Sequence, residues 1–209
     1  MRKVVITALA AAVTCACSES NRTPAGPTEY TAPLQVQAVQ PDGIAKNHST
    51  HLSGDQEVPT NDSQAQGQAI FKIADDGQSF HYKLIASNIE NISMAHIHCG
   101  PAGMNGPIIV WLYPSPTATS PLTSVEHLGR HNGVLAEGTI VSGTPLHVRP
   151  VDPGVNPACP DGVLTFADVL AQIRDNNTYV NVHTNDDVAP PNTGPGDFPG
   201  GEVRGQLDK

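Results

Sequence analysis

MAHIHCGPAGMNGPIIVWLY, residues 94–113, decides how this chain is read. The stretch runs from an alternating His-x-His through a glycine-rich turn into an apolar segment. In an extended strand, side chains two apart share a face. Met94, His96 and His98 therefore point one way, and Ala95, Ile97 and Cys99 the other. A later stretch, Tyr179 to Thr184 (YVNVHT), repeats the alternation, with Val180 and Val182 on one face and Tyr179, Asn181 and His183 on the other. If these two strands are neighbours in one sheet, three histidines converge on the face turned away from the core.

Working outward, the flanking segments read as strands and turns. His48 to Pro59 opens with a strand and ends in a polar turn. From Gly67 to Ala74, Ala69, Phe71 and Ile73 alternate with polar neighbours, the pattern of a half-buried strand. Asp75, Asp76 and Gly77 then signal a hairpin into Ser79–Ala86, where Phe80, Tyr82 and Leu84 share a side. After the central stretch come a loop over Pro114–Pro121, a short strand over Gly138–Ser142 and an irregular segment from Pro150 to Pro160. Thr165 with Asp168 three residues on forms a helix start, followed by Phe166, Val169, Leu170 and Ile173 at helical spacing. The helix closes at Asn176 and Asn177, and a loop over Asn185–Gly201 leads to a last strand, Glu202–Leu207. No internal repeat is visible.

Composition agrees with this reading. A chain of 209 residues suggests one domain with appendages. With 19 glycines, 19 prolines and only 4% aromatic residues, short strands between turns are favoured over a helical bundle. The formal charge is -9; without residues 1–17, which hold Arg2 and Lys3 and no acid, 9 basic side chains face 20 acidic ones, or -11. No basic stripe is available to replace phosphate counterions, so nucleic acid is not an expected partner.

At the beginning of the chain, Arg2 and Lys3 precede the apolar run Val4–Val13, and small residues with cysteine follow, the layout of an export signal. The run is too short to cross a bilayer as a helix. VTCAC, with Ala16 just before Cys17, resembles the lipobox of bacterial lipoproteins, although Cys15 stands where a small residue is usual and no Leu precedes Cys17 by three. The expectation is a signal peptide over 1–17, acylation of Cys17 and a disordered, proline-rich tether over 18–47. The folded domain then spans 48–209. The protein would be exported and held at a membrane surface on its periplasmic or extracellular side.

Two cysteines remain in the folded part. Cys99 and Cys159 in an exported domain suggest one disulfide. The alternative makes Cys99 a metal ligand; its position on the opposite strand face from His96 and His98 favours the bridge.

AHIHCGPAGMNGP, then YVNVHT, then GGEVRGQL, preceded by LSGDQEVP and the hairpin, resembles a CHRD domain, the module named from chordin and found in many bacterial exported proteins. The resemblance spans roughly residues 51–207. It implies an all-β fold, an immunoglobulin-like Greek-key β-sandwich, here with one short helix. In chordin such domains accompany cysteine-rich modules that bind growth factors, and this chain carries a single copy without those modules. The resemblance therefore implies a binding or structural module of the cell envelope, with an unknown protein or small ligand as partner, rather than an enzyme.

The His-x-His with a later histidine beneath long loops is more distantly similar to the copper site of copper/zinc superoxide dismutases. On that likeness His96, His98 and His183 would hold copper or zinc with an open coordination position. No second histidine cluster with a bridging ligand and an aspartate is present, so dismutase activity is not expected. The competing role for the three imidazoles is to hydrogen-bond loop backbone and hold the long connections against the sheet. Three ring nitrogens within about 4 Å of a common point would favour a metal. His51 and His81 are weaker candidates, and His127, His131 and His147 fall in loop-like sequence. Gly100, Gly103 and Gly106 read as a tight strand connection rather than a phosphate cradle. Arg204 is expected to pair with nearby Glu202, and Asp186, Asp187 and Asp197 to be solvated loop carboxylates.

Overall fold

The computed structural model describes residues 47–122, 129–144 and 148–207. The export segment, Cys17, the tether, His127 and His147 lie outside the described residues. The strands are β1 (Asn47–Ser53), β2 (Gln66–Ile73), β3 (Ser79–Ile89), β4 (Ile92–Cys99), β5 (Ile108–Tyr113), β6 (His131–Val141), β7 (Thr178–Thr184) and β8 (Val203–Gln206). One α-helix, α1 (Phe166–Arg174), precedes β7, and a single 3-10 turn, Gly54–Gln56, follows β1. The fold is all-β, as expected. Its eight strands form one antiparallel sheet in the order β5-β4-β7-β8-β1-β2-β3-β6. The sheet curls until β5 returns to the neighbourhood of β6, a nearly closed sandwich. Tyr82 Oη of β3 donates across the interior to the Leu112 carbonyl of β5 at 2.9 Å, tying the two halves together.

Local chemistry explains the elements. In the β2–β3 hairpin Gly77 adopts φ +64, the left-handed conformation that costs a glycine nothing. Asn88, at φ +55, sits at the bulge near the end of β3, and Asn91, at φ +50, in the turn to β4; asparagine tolerates this region better than other residues with a Cβ. Helix α1 starts with the capping box read from sequence: the Thr165 backbone N–H donates to the Asp168 carboxylate at 2.7 Å, and the Asp168 N–H donates to Thr165 Oγ1 at 3.3 Å. Its apolar face enters the core through Phe166, stacked on Phe80 with centroids 5.6 Å apart. Phe80 in turn meets Phe71 edge-on at 5.6 Å. Burying each such ring stabilises the fold by about 1.5–3 kcal/mol.

One element departs from expectation. The short strand read over Gly138–Ser142 is part of the longer β6, which begins at His131 and pairs along β3 through Ile89. It is an edge strand with one face in water, leaving Val134 and Val141 exposed. Gly133 and Gly138 further blur the two-residue alternation on which a sequence reading depends. His131 therefore sits in a strand, not a loop.

Cys99 and Cys159 form the expected disulfide, joining β4 to the 150–162 segment across 60 residues. Closing a loop of that length restricts the unfolded chain by about 4 kcal/mol in the chain-entropy treatment. Replacing both cysteines by alanine should lower the unfolding free energy by about 2–4 kcal/mol in urea melts. Indistinguishable midpoints for parent and variant would remove this role.

Candidate metal centre

β4 and β7 are antiparallel neighbours, and their register decides which side chains meet. On the core side Ala95 faces Val182 and Ile97 faces Val180; on the other, Met94 faces His183, His96 faces Asn181 and His98 faces Tyr179. β8 adds Arg204 opposite Asn181 and Gln206 opposite Tyr179, and β5 adds Trp111 opposite His96. The result is a polar outer face that is nonetheless buried: His96, His98 and His183 are 0, 7 and 5% exposed.

Loops bury this face, and side chains standing on it hold the loops down. His98 Nδ1 lies 2.9 Å from the Gly106 carbonyl, and the Gly106 N–H donates to Tyr179 Oη at 3.0 Å. A Cβ at Gly106 would collide with the Cys99 carbonyl, so only glycine lets the 100–107 loop lie this close. Arg204 fastens the same loop, donating to Asn105 Oδ1 and to the carbonyls of Pro101 and Met104. Its guanidinium lies 3.5 Å above the Tyr179 ring, whose other face stacks on His98 at 4.7 Å. His183 Nδ1 lies 2.9 Å from the Pro199 carbonyl of the 185–201 loop.

These two carbonyl contacts determine the tautomers. A carbonyl only accepts, so His98 and His183 each carry their proton on Nδ1 and present a bare Nε2. Among the described residues His96 bonds to no loop backbone; its Nδ1 lies 3.3 Å from His183 Nε2. The ring packs edge-to-face on Trp111 at 4.2 Å. One ligand atom from each of the three residues lies within 4.8 Å of the others, so a common point exists within about 2.8 Å of all three. This meets the criterion set from sequence. The Nε2 atoms of both His96 and His98 are buried without a hydrogen-bond partner among the described residues.

Burial drives the imidazoles toward their neutral forms. His96 is pushed down to about 2 by desolvation, with His183, His98 and Arg149 adding positive charge nearby. His98 falls to about 3 through burial and His183, against the opposing Gly106 bond, and His183 falls to about 4 through burial. The three rings are thus neutral at pH 7, the protonation state a metal ligand requires.

Beside them sits a residue that the sequence reading passed over. Glu57 is buried, accepts from Asn181 Nδ2 at 2.9 and 3.1 Å, and is pushed up to about 8 by desolvation despite the opposing charge of Arg204. Gly201, at φ +136, leaves room for this pair; a Cβ there would strike both side chains.

Other expectations are corrected. Arg204 does not pair with Glu202, which is buried and accepts from Ser63 Oγ, Thr184 Oγ1 and the Gly196 N–H. Asp197 is not solvated; it is buried and accepts from the Thr193 N–H and hydroxyl. Asp186 accepts from the Val188 N–H in a local turn. His51 is exposed and His81 lies 3.4 Å from Glu137, so neither joins the cluster. Ser93 Oγ donates to the His183 carbonyl at 3.2 Å.

Fold and site together define a class: an all-β module whose outer face carries a histidine cluster sealed beneath loops. The chain belongs to the CHRD domain family, whose profile matches residues 48–207. Membership points to a binding or structural module. Comparison with curated proteins and with solved structures gave no match.

The buried groups make stability depend on pH in two opposed limbs. Each histidine is protonated more readily unfolded than folded, so its stabilisation is present above about pH 6.5 and lost on acidification. At pH 5 the metal-free protein should lose about 2 kcal/mol per imidazole. Glu57 acts in the opposite sense: its folded value lies above the unfolded one, so stability falls as pH rises from 4.5 through about 8. Glu57→Gln should therefore stabilise the metal-free protein by about 3 kcal/mol at pH 7 and flatten the alkaline limb of a urea-midpoint profile. A parallel profile for this variant would contradict the burial of a costly carboxyl.

Proposed function

We propose that this protein is an exported CHRD module, anchored through an acylated Cys17, that binds one transition-metal ion through His96, His98 and His183. The observation carrying the reading is His96. A loop-fastening role accounts for Nδ1 of His98 and of His183, each facing a carbonyl. It does not account for His96, which among the described residues bonds to no loop backbone and instead turns Nδ1 to within 3.3 Å of His183 Nε2. The bare Nε2 of His98 has no partner among the described residues, and leaving a buried acceptor unsatisfied costs about 1–3 kcal/mol, which a metal bond at the cluster would offset.

The spacing supports this. Two nitrogens bound to one ion at about 2.0 Å, 120° apart, are about 3.5 Å from each other. His96 Nδ1 and His183 Nε2 are separated by 3.3 Å. The implied ligands are His96 Nδ1, His98 Nε2 and His183 Nε2, with the two loop carbonyls as outer partners that orient the rings. Imidazole donors suit copper and zinc.

Isothermal titration of metal-free protein with copper or zinc should give one ion per chain, and His96→Ala, His98→Ala and His183→Ala should each weaken binding by at least about 100-fold. Unaltered stoichiometry and affinity across the three variants would remove the site. For the anchor, Cys17→Ala should move the protein from the membrane to the soluble fraction, and an unchanged distribution would discount acylation.

A further inference from the structure

The surroundings of the three histidines discriminate between ions, given the metal reading above, on which this inference rests. The donor set carries no charge. Among the described residues no carboxylate or thiolate joins the cluster, and Cys99 is committed to its disulfide on the opposite strand face. Two cationic side chains stand over rings that flank the cluster. Arg149 lies 5.7 Å over the Trp111 ring against which His96 packs, and Arg204 lies over the Tyr179 ring stacked on His98. The neighbouring acid, Glu57, is buried against Asn181 in its neutral form at pH 7.

The charging energy of a buried ion grows as the square of its charge, so a dication meets about four times the desolvation penalty of a monocation of similar size. Here none of the three donors is anionic, and two arginines add to the penalty. Zinc on three histidines needs a water or hydroxide as fourth ligand, whereas three neutral nitrogens satisfy a monovalent copper ion. Register also places the thioether-bearing Met94 directly opposite His183 on this face, and thioethers favour the cuprous ion.

We infer that the His96, His98 and His183 centre is a cuprous site, holding Cu(I) in preference to both Cu(II) and Zn(II). The bound couple exchanges one electron with an external one-electron donor or acceptor, Cu(II) + e⁻ → Cu(I), with the three nitrogens retained and no proton transferred.

The test uses the full-length protein. Anaerobic titration of Cu(I) against bicinchoninate, zinc titration against a chromophoric chelator, and voltammetry of the copper form give the three affinities. One Cu(I) per chain is expected, bound at least about 1,000-fold more tightly than Cu(II). That preference places the midpoint about 180 mV above the free-ion couple in the same buffer, at 59 mV per tenfold. Zinc should bind at least about 100-fold more weakly than Cu(I). Arg149→Met should lower the midpoint and Arg149→Lys should restore it. A midpoint at or below the free-ion couple, or zinc binding tighter than Cu(I), overturns the cuprous assignment and leaves the metal centre standing. Failure of every ion to bind overturns both.

Discussion

A β-strand has two faces, and in β4 and β7 both are taken out of water. On one, Ala95, Ile97, Val180 and Val182 enter the core; on the other, polar side chains lie under loops. The second burial governs the rest of the structure, because every donor and acceptor on that face must find a partner within the protein or be left at a cost of about 1–3 kcal/mol. Most partners are loop backbone. The 100–107 loop is held by His98, Tyr179, Arg204 and Gln206, and the 185–201 loop by His183, Thr184 and Glu202. Asn61 and Ser63 complete the cover by bonding to Gly201 and Glu202.

That accounting exposes the site. Where both oxygens of a buried acid find donors, holding a loop explains the residue, as for Glu202, which accepts from Ser63, Thr184 and the Gly196 N–H. Where it does not, something else is needed. The unpartnered nitrogens of His96 and His98, together with Asn181 Oδ1, all belong to one face and to adjacent register positions. Other buried atoms also lack a partner among the described residues, Asp197 Oδ1 and Gln206 Oε1 included, so what singles out this face is the convergence of three imidazoles.

Much of this was legible in the sequence because period-two alternation is a strong signal where both faces are differentiated. The His-x-His strand, the YVNVHT strand, the hairpin at Gly77 and the capping box of α1 follow from local chemistry alone. β6 was only partly legible because its outer side is solvated and its glycines interrupt the pattern. Glu57, Asn181, Trp111 and Arg149 were not identified as parts of the site. Their roles arise from strand order, in which β7 and β8 come to lie between β4 and β1, and no spacing along the chain encodes that adjacency. The sequence offered one usable hint: Asn181 shares the alternation of His183, so a polar residue was already assigned to the same face. Arg204 misled for a related reason. Glu202 precedes β8 and turns toward Ser63 and Thr184, so closeness in sequence did not become closeness in space.

The energetics separate what builds this fold from what the fold is used for. The aromatic cluster of Phe71, Phe80 and Phe166 and the Cys99–Cys159 bridge contribute stability without touching the outer face. Glu57 and the three histidines do the reverse, since burial forces each away from its preferred charge state in water. A glutamine at 57 would hydrogen-bond to Asn181 without that penalty, and phenylalanine at 96 would pack on Trp111 with no orphaned nitrogen. Groups of this kind, concentrated on one face and each replaceable by a cheaper neighbour of similar shape, are unexplained by folding alone. Glu57 stands on Asn181, outside the cluster, while the three imidazoles converge between two rings that each carry an arginine, Arg149 over Trp111 and Arg204 over Tyr179, so the face gathers neutral nitrogen donors in a cationic setting.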